Sequence, residues 1–281
     1  MFVQQSLPRF SIMEGLKIFF PKSLRPSRHI PRITAIRTKS TIQAGPFRGM
    51  RYVSQSHHSA LIPKLLGTYE RELAPTVEEA ISLAFRTVVD IGAAEGYYAV
   101  GMAVRLPRAR VIAFETEPAA QELLLSLAKL NGVADKLTIR GACTRLSLAA
   151  DLNSSGRTLV ICDTEGGEAM LLDPIRIPRL RACHILVELH DHIIAGISEE
   201  IRERFSESHI ISQIREEGRS RSDFPFRTFY TTILPGYIDW AVSEQRKCNM
   251  TWYWMRPRFQ SNRDVLAGAV LRVPYAARQQ Q

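Results

Sequence analysis

The chain has 281 residues, 45% of them hydrophobic, and a formal net charge of +9 at pH 7. That is enough apolar matter for a full α/β core, which excludes disorder of the whole chain, and no run approaches the ~18 consecutive apolar residues of a membrane span. Nine Lys or Arg against one acid, Glu14, fall in residues 1–50, so the rest is nearly neutral and lacks the basic excess that tracks a nucleic-acid backbone.

Residues 1–44 read as a basic, partly ordered extension broken by Pro8, Pro21, Pro26 and Pro31. Within it, "LKIFFPK" sets an apolar patch beside lysines, the pattern of a weak membrane-surface contact, and the Arg-rich start also resembles an organellar transit peptide. Residues 45–86 hold a leading strand or hairpin entered through Gly45-Pro46, then helices in "LIPKLLGTYERELAPTVEEAIS". Pro75 is expected to break that stretch and Thr76 to cap the next helix.

From residue 87 to 281 the pattern alternates. Strands are expected at Thr87 to Ile91, in "RVIAFETEP", from Leu137 to Ala142, from Thr158 to Cys162 and from His184 to Leu189. Between them lie a helix after the glycine turn, one in "PAAQELLLSLAKLNG" and a short one from Glu168 to Leu172. Helix "ISEEIRERF" and strands "HIISQI" and "TWYWMRP" follow. This order predicts a Rossmann-like, doubly wound, mostly parallel sheet behind the basic N-terminal extension. The cysteines, Cys143, Cys162, Cys183 and Cys248, are scattered without a C-x-x-C pair, so reduced thiols and a cytoplasmic protein are expected.

The glycine turn "VVDIGAAEGYYAVGMA" carries the first functional signal. A dinucleotide site needs G-x-G-x-x-G, whereas this turn has Gly92 and Gly96 with Ala94 at the middle position, which disfavours a nicotinamide cofactor. The D-x-G-x-x-x-G spacing of Asp90, Gly92 and Gly96 resembles the first motif of class I S-adenosylmethionine-dependent methyltransferases. Glu115, ending the second strand, is placed to accept hydrogen bonds from both ribose hydroxyls. Glu117 is expected at the N-terminus of the following helix. A Rossmann unit serving another ligand is the competing reading.

The other half of the expected site is acidic. "LVICDTEGGEAMLLDP" puts Asp163 at the end of the fourth strand, then Glu165 and Glu168, and "LVELHDH" puts Glu188, His190 and His192 on one face by alternation. "DIGAAEGYYAV", "VIAFETEP", "CDTEGGE" and "VELH" together resemble the strand-end motifs of FkbM-type methyltransferases, over roughly Gly45 to His190. Thr116-Glu117 departs from the proline and small polar residue that more often follow the ribose-binding acid there. The resemblance implies S-adenosylmethionine as cofactor and O-methylation of a hydroxyl on a sugar, glycan or polyketide-like small molecule.

The expected cofactor shell is Asp90, Gly92, Ala94, Gly96, Glu115, Ala142 and Asp163, with Glu165, Glu188 and His190 toward the substrate. Methyl transfer needs a proton acceptor; Asp163 and His190 are the candidates, His190 preferred, with Glu188 orienting it or binding substrate hydroxyls. A divalent metal on Asp163, Glu188 and His190 is a rival to direct base catalysis. Two further functions compete with O-methylation of a small molecule. One is a nucleic-acid methyltransferase, disfavoured by the near-neutral body and by "DTEG" in place of an N/D-P-P-Y/F motif; the second is a non-catalytic binding protein on the same scaffold. The aromatic and basic stretches "RSDFPFRTFY" and "KCNMTWYWMRPR" are expected in the core or a lid, or else as a stacking platform; any lid is expected between Ile193 and Pro225.

Overall fold

The computed structural model describes residues 26–53, 60–153, 156–246 and 248–258. Its centre is a seven-stranded sheet of β1 (Thr87–Ile91), β2 (Arg110–Phe114), β3 (Leu137–Arg140), β4 (Thr158–Cys162), β5 (His184–Leu189), β6 (His209–Arg215) and β7 (Thr251–Pro257). The order is β3-β2-β1-β4-β5-β7-β6. The first five strands pair parallel, and β7 runs antiparallel between β5 and β6. The protein thus has the Rossmann-like, doubly wound, mostly parallel fold expected, with its topological switch between β1 and β4.

Strand alternation divides the apolar residues between two cores. On one face Val88, Val111, Leu159 and Leu186 meet α3 (Ala74–Ser82), α4 (Tyr97–Arg105) and α5 (Pro118–Leu130). On the other, Val89, Ile112, Val160 and Val187 meet α6 (Arg145–Asp151), α7 (Glu168–Leu171) and α8 (Ile197–Phe205). The central strands β1 and β4 are buried along their whole length, which is why they read as unbroken apolar runs with a single Asp.

A third, smaller core lies to one side. In it α1 (Pro26–Thr38) and α2 (Leu61–Leu66) pack on α9 (Phe229–Ile233) and α10 (Pro235–Val242) through Ile30, Ile62, Leu66, Tyr230, Tyr237 and Ile238. Within the extension expected over residues 1–44, the described part from Pro26 onward begins as a helix: Ile30, Thr34 and Thr38 recur every four residues and bury one helical face, and Pro31, inside the helix, leaves out one backbone hydrogen bond. The "LKIFFPK" segment lies outside the described residues.

Several local expectations change. Pro75 opens α3 in place of breaking a helix, because a proline in the first turn loses no hydrogen bond, and Thr76 makes no capping bond. The third strand stops at Arg140, leaving Ala142 in the loop beyond it. The Ile193–Pro225 stretch forms mainly α8 and β6 and contributes no wall to the cavity described below. Trp254 and Tyr253 enter the two sheet cores, and Phe224 and Tyr230 the third. Among the described residues no helix is long and apolar enough to cross a membrane.

Candidate active site

A cavity of about 650 Å³ opens over the carboxyl ends of β1, β2, β4 and β5, where a sheet of this winding places its ligands. Asp90, Gly92, Ala94, Glu115, Ala142, Asp163, Glu165 and Glu188 line it; Gly96 and His190 do not.

The β1–β2 half is made by neighbouring turns. Gly92 has φ +84°, and a Cβ there would lie 1.6 Å from the Asp163 carbonyl oxygen, so its glycine is demanded by the crossing of the β1 and β4 loops. Gly96, also left-handed, has its empty position against Leu124 of α5, so it serves helix packing and stands off the cavity wall. Glu115 clamps the turn: its Oε2 accepts the Ala94 N–H at 2.8 Å and its Oε1 the Glu117 N–H at 2.8 Å. The clamp holds Ala94 at φ +46°. Each carboxylate oxygen keeps a further lone pair for a ligand hydroxyl.

Asp90 is 3% exposed, and its Oδ2 has no hydrogen-bond partner among the described residues. Burial, reinforced by the Asp163 charge, pushes its carboxyl up to about 7. An orphaned buried oxygen on the wall of a cavity is the mark of a group that awaits a ligand.

The β4–β5 half is a network of buried charge. Glu188, 3% exposed, binds Arg246, which also binds Glu70 and, at 3.0 Å, Glu244. Glu70 in turn accepts the Tyr98 hydroxyl and donates its backbone N–H to Glu244 at 2.8 Å. Glu244 and Glu72 share Arg219 at 2.6 and 2.7 Å, all three side chains being 2% exposed. Enclosure and the Glu70 charge raise Asp163 to about 6, and burial together with the Asp163 charge raises Glu188 well above the usual carboxylate range. Tyr69, Tyr97, Tyr98 and Trp252 complete the aromatic wall, with the buried Lys64–Glu95 ion pair at 2.6 Å beneath Tyr69.

His190 stands behind this wall. Its Nδ1 meets Glu168 Oε1 at 2.8 Å, and its Nε2 faces Asp163 Oδ1 at 3.5 Å and Glu165 Oε2 at 3.7 Å. Burial pulls the imidazole down, but the Glu168 hydrogen bond and the surrounding carboxylates hold it above its ordinary value. Burial likewise pushes Glu168 up, and the His190 bond together with backbone N–H groups outweighs it, leaving Glu168 below its ordinary value.

The alternation expected for Glu188, His190 and His192 ends with the strand at Leu189, and the chain then turns as the Ile193 and Ile194 N–H groups bond to the His190 carbonyl. His192 is exposed as a result. Metal coordination by Asp163, Glu188 and His190 is not supported, because Arg246 occupies Glu188; the carboxylate that joins Asp163 and His190 is Glu165.

Glu70, Arg246 and the tyrosine wall were not expected from sequence. The Glu70–Arg246 contact spans 176 positions, and no local spacing announces it. Within "GTYEREL", the one local mark is structural: Glu70 takes a left-handed backbone at φ +46°, a strain that clusters at functional sites.

No protein-family model matches the chain, and no curated protein matches it. Among solved structures, the O-methyltransferase TomG from Streptomyces achromogenes, in complex with SAM, is 17% identical over 65% of this chain and 80% of its own, with a TM-score of 0.42. A precorrin-6Y C5,15-methyltransferase from Geobacter metallireducens is 14% identical over 67% of this chain and 89% of its own, at a TM-score of 0.45. An O-methyltransferase from Bacillus cereus, in complex with SAH, is 12% identical over 64% of this chain and 78% of its own, at 0.41. All three scores fall below 0.5, so the functional reading rests on the site's own residues.

Proposed function

We propose that the protein is an S-adenosylmethionine-dependent methyltransferase of the FkbM type, acting on a hydroxyl of a small-molecule or glycan acceptor. The observation that carries this reading is the cavity at the β1/β4 switch, with an unpartnered Asp90 oxygen and Glu115 at one end and the Asp163–Glu188 carboxyl corner at the other. The residues present fit the cofactor. Glu115 has lone pairs for a ribose diol, Phe114, Cys143, Met170 and Leu171 offer an apolar slot for a purine, and Asp90 offers an acceptor to a cationic amino group.

When bound, the cofactor supplies an electrophilic methyl: the acceptor oxygen's lone pair forms the new O–C bond and the C–S pair returns to sulfur. The chain's part is to hold that oxygen in line and remove its proton. Asp163 and Glu188 are the wall residues that meet the hydroxyl, while His190, expected as the base, backs them. The carboxyl-rich wall disfavours phosphorylated or nucleic-acid acceptors and suits neutral or cationic ones. "CDTEGGE" and "VELH", the particular FkbM-type motifs, support the family, since their Asp163, Glu168, Glu188 and His190 meet at one corner of the site.

Calorimetric titration with S-adenosylhomocysteine tests the cofactor. Wild-type protein is expected to bind it, NAD to be ignored, and Glu115→Ala to weaken binding at least ~10-fold while circular dichroism stays unchanged. A wild type that does not bind S-adenosylhomocysteine overturns the assignment.

A further inference from the structure

We propose that Asp163, Glu165 and His190 hold one divalent metal ion, of the Mn²⁺ or Mg²⁺ kind, at the rim of the cavity. One ligand atom from each residue lies within 4.8 Å of the others. His190 Nε2 to Asp163 Oδ1 is 3.5 Å and to Glu165 Oε2 3.7 Å. Octahedral ligands at ~2.1 Å from an ion sit ~3 Å apart when adjacent. A small inward movement of Glu165, whose side chain is 76% exposed, closes the set.

The surroundings are built for the purpose. His190, 2% exposed, is oriented by Glu168, which is fully buried. The Nδ1–H donated to Glu168 fixes the tautomer whose Nε2 lone pair faces the two carboxylates, the carboxylate–histidine–metal relation of protein metal sites. The same Glu168 oxygen accepts the backbone N–H groups of Thr164 and Gly166, each at 3.3 Å, and so shapes the loop that presents Glu165. Glu165 is held at φ +51° in that loop, an uncommon conformation for a non-glycine residue. A lone imidazolium would leave Asp163, Glu165 and Glu168 with two uncompensated negative charges, which a dication beside the neutral imidazole reduces to one. A mixed oxygen and imidazole donor set with open positions suits Mn²⁺ or Mg²⁺ in preference to a closed structural zinc site.

What the ion does rests on the proposed function, because only that reading places an acceptor at the corner. Asp163 and Glu165 line the cavity and His190 does not, so an ion between them brings the buried histidine into contact with the acceptor. An ion held by Asp163, Glu165 and His190 would acidify a bound acceptor hydroxyl, whose proton would leave to solvent at the open Glu165 rim. Its oxygen pair forms the O–C bond, and the C–S pair stays on sulfur.

The test is Mn²⁺ titration of the full chain, followed by electron paramagnetic resonance and calorimetry, on wild type and Glu165→Gln, with S-adenosylhomocysteine affinity measured in parallel. One Mn²⁺ per chain is expected, with affinity lowered at least ~10-fold in the variant and S-adenosylhomocysteine affinity unchanged. No Mn²⁺ binding by the wild type, or equal binding by Glu165→Gln, overturns the metal site whatever S-adenosylhomocysteine does. Loss of S-adenosylhomocysteine binding with Mn²⁺ retained removes the role in methyl transfer and leaves the site.

Discussion

The two halves of the cavity are assembled in opposite ways. On the β1–β2 side the Glu115 clamp reaches Ala94 across 21 positions, and one βαβ unit supplies the whole arrangement. On the β4–β5 side, Arg246 ties Glu188 from 58 positions away and Glu70 from 176 away. A site half made of adjacent turns is fixed once its strands pair, whereas the other exists only after distant segments dock. The first is specified by spacing and the second by the completed fold.

The sharpest way to break this contrast is at the point where the halves touch. Gly92→Ala would place its Cβ against the Asp163 carbonyl and force an L residue into φ +84°. Backbone lies on both sides, so the strain has no flexible side chain to absorb it, and more than ~4 kcal/mol of stability is expected to be lost. Urea unfolding followed by circular dichroism measures this; a near-normal midpoint would show that the loops part easily.

Arg246→Ala acts on the distant half alone. It strips the counter-charge from Glu70 and Glu188 and leaves Glu244 to Arg219 alone, and breaking such a buried cluster costs about 3–5 kcal/mol. S-adenosylhomocysteine affinity per folded molecule is expected to hold, because the β1–β2 half stands on its own contacts. If calorimetry on the variant shows affinity falling as far as stability does, the halves are not separately built.

The smallest effect belongs to a group outside both halves. His209 is 1% exposed; its Nε2 pairs with the Cys183 carbonyl at 2.9 Å and its Nδ1 with Ser208 Oγ at 2.9 Å. Burial, with the charges of His184 and Arg258, lowers it from 6.5 to about 4 against the raising effect of the Cys183 carbonyl. Above pH 6.5 folded and unfolded chains are both neutral there, and stability is full. As pH falls toward 4 only the unfolded chain gains the proton, so stability drops by up to about 1.4 kcal/mol per pH unit. Denaturant titrations at pH 7, 6 and 5 are expected to show a shallower decline for His209→Gln than for wild type; parallel curves would move the pH sensitivity elsewhere.

The same contrast explains what could be read beforehand. β1, β4, β5 and β7 are each built around a short apolar run, because central strands are buried on both faces and need no exposed alternation. Helices α9 and α10 have no such signature: they are short, and their apolar residues pair with α1 from the other end of the chain. α6 starts with a Thr144–Ser147 capping box, a weaker mark than one closed by Glu or Gln. Asp90, Glu115 and Asp163 were legible because strand ends announce them. Arg246 was not, since nothing around it in sequence sets it apart from the arginines that lie exposed.

The contact between Gly92 and Asp163 has one more consequence. Because backbone meets backbone there without slack, the spacing between the Asp90–Glu115 end of the cavity and its Asp163–Glu188 end is a property of the scaffold and not of any side chain. Side-chain changes at Glu70, Tyr69, Glu188 and Trp252 would then reshape the cavity wall while the main chain keeps that spacing.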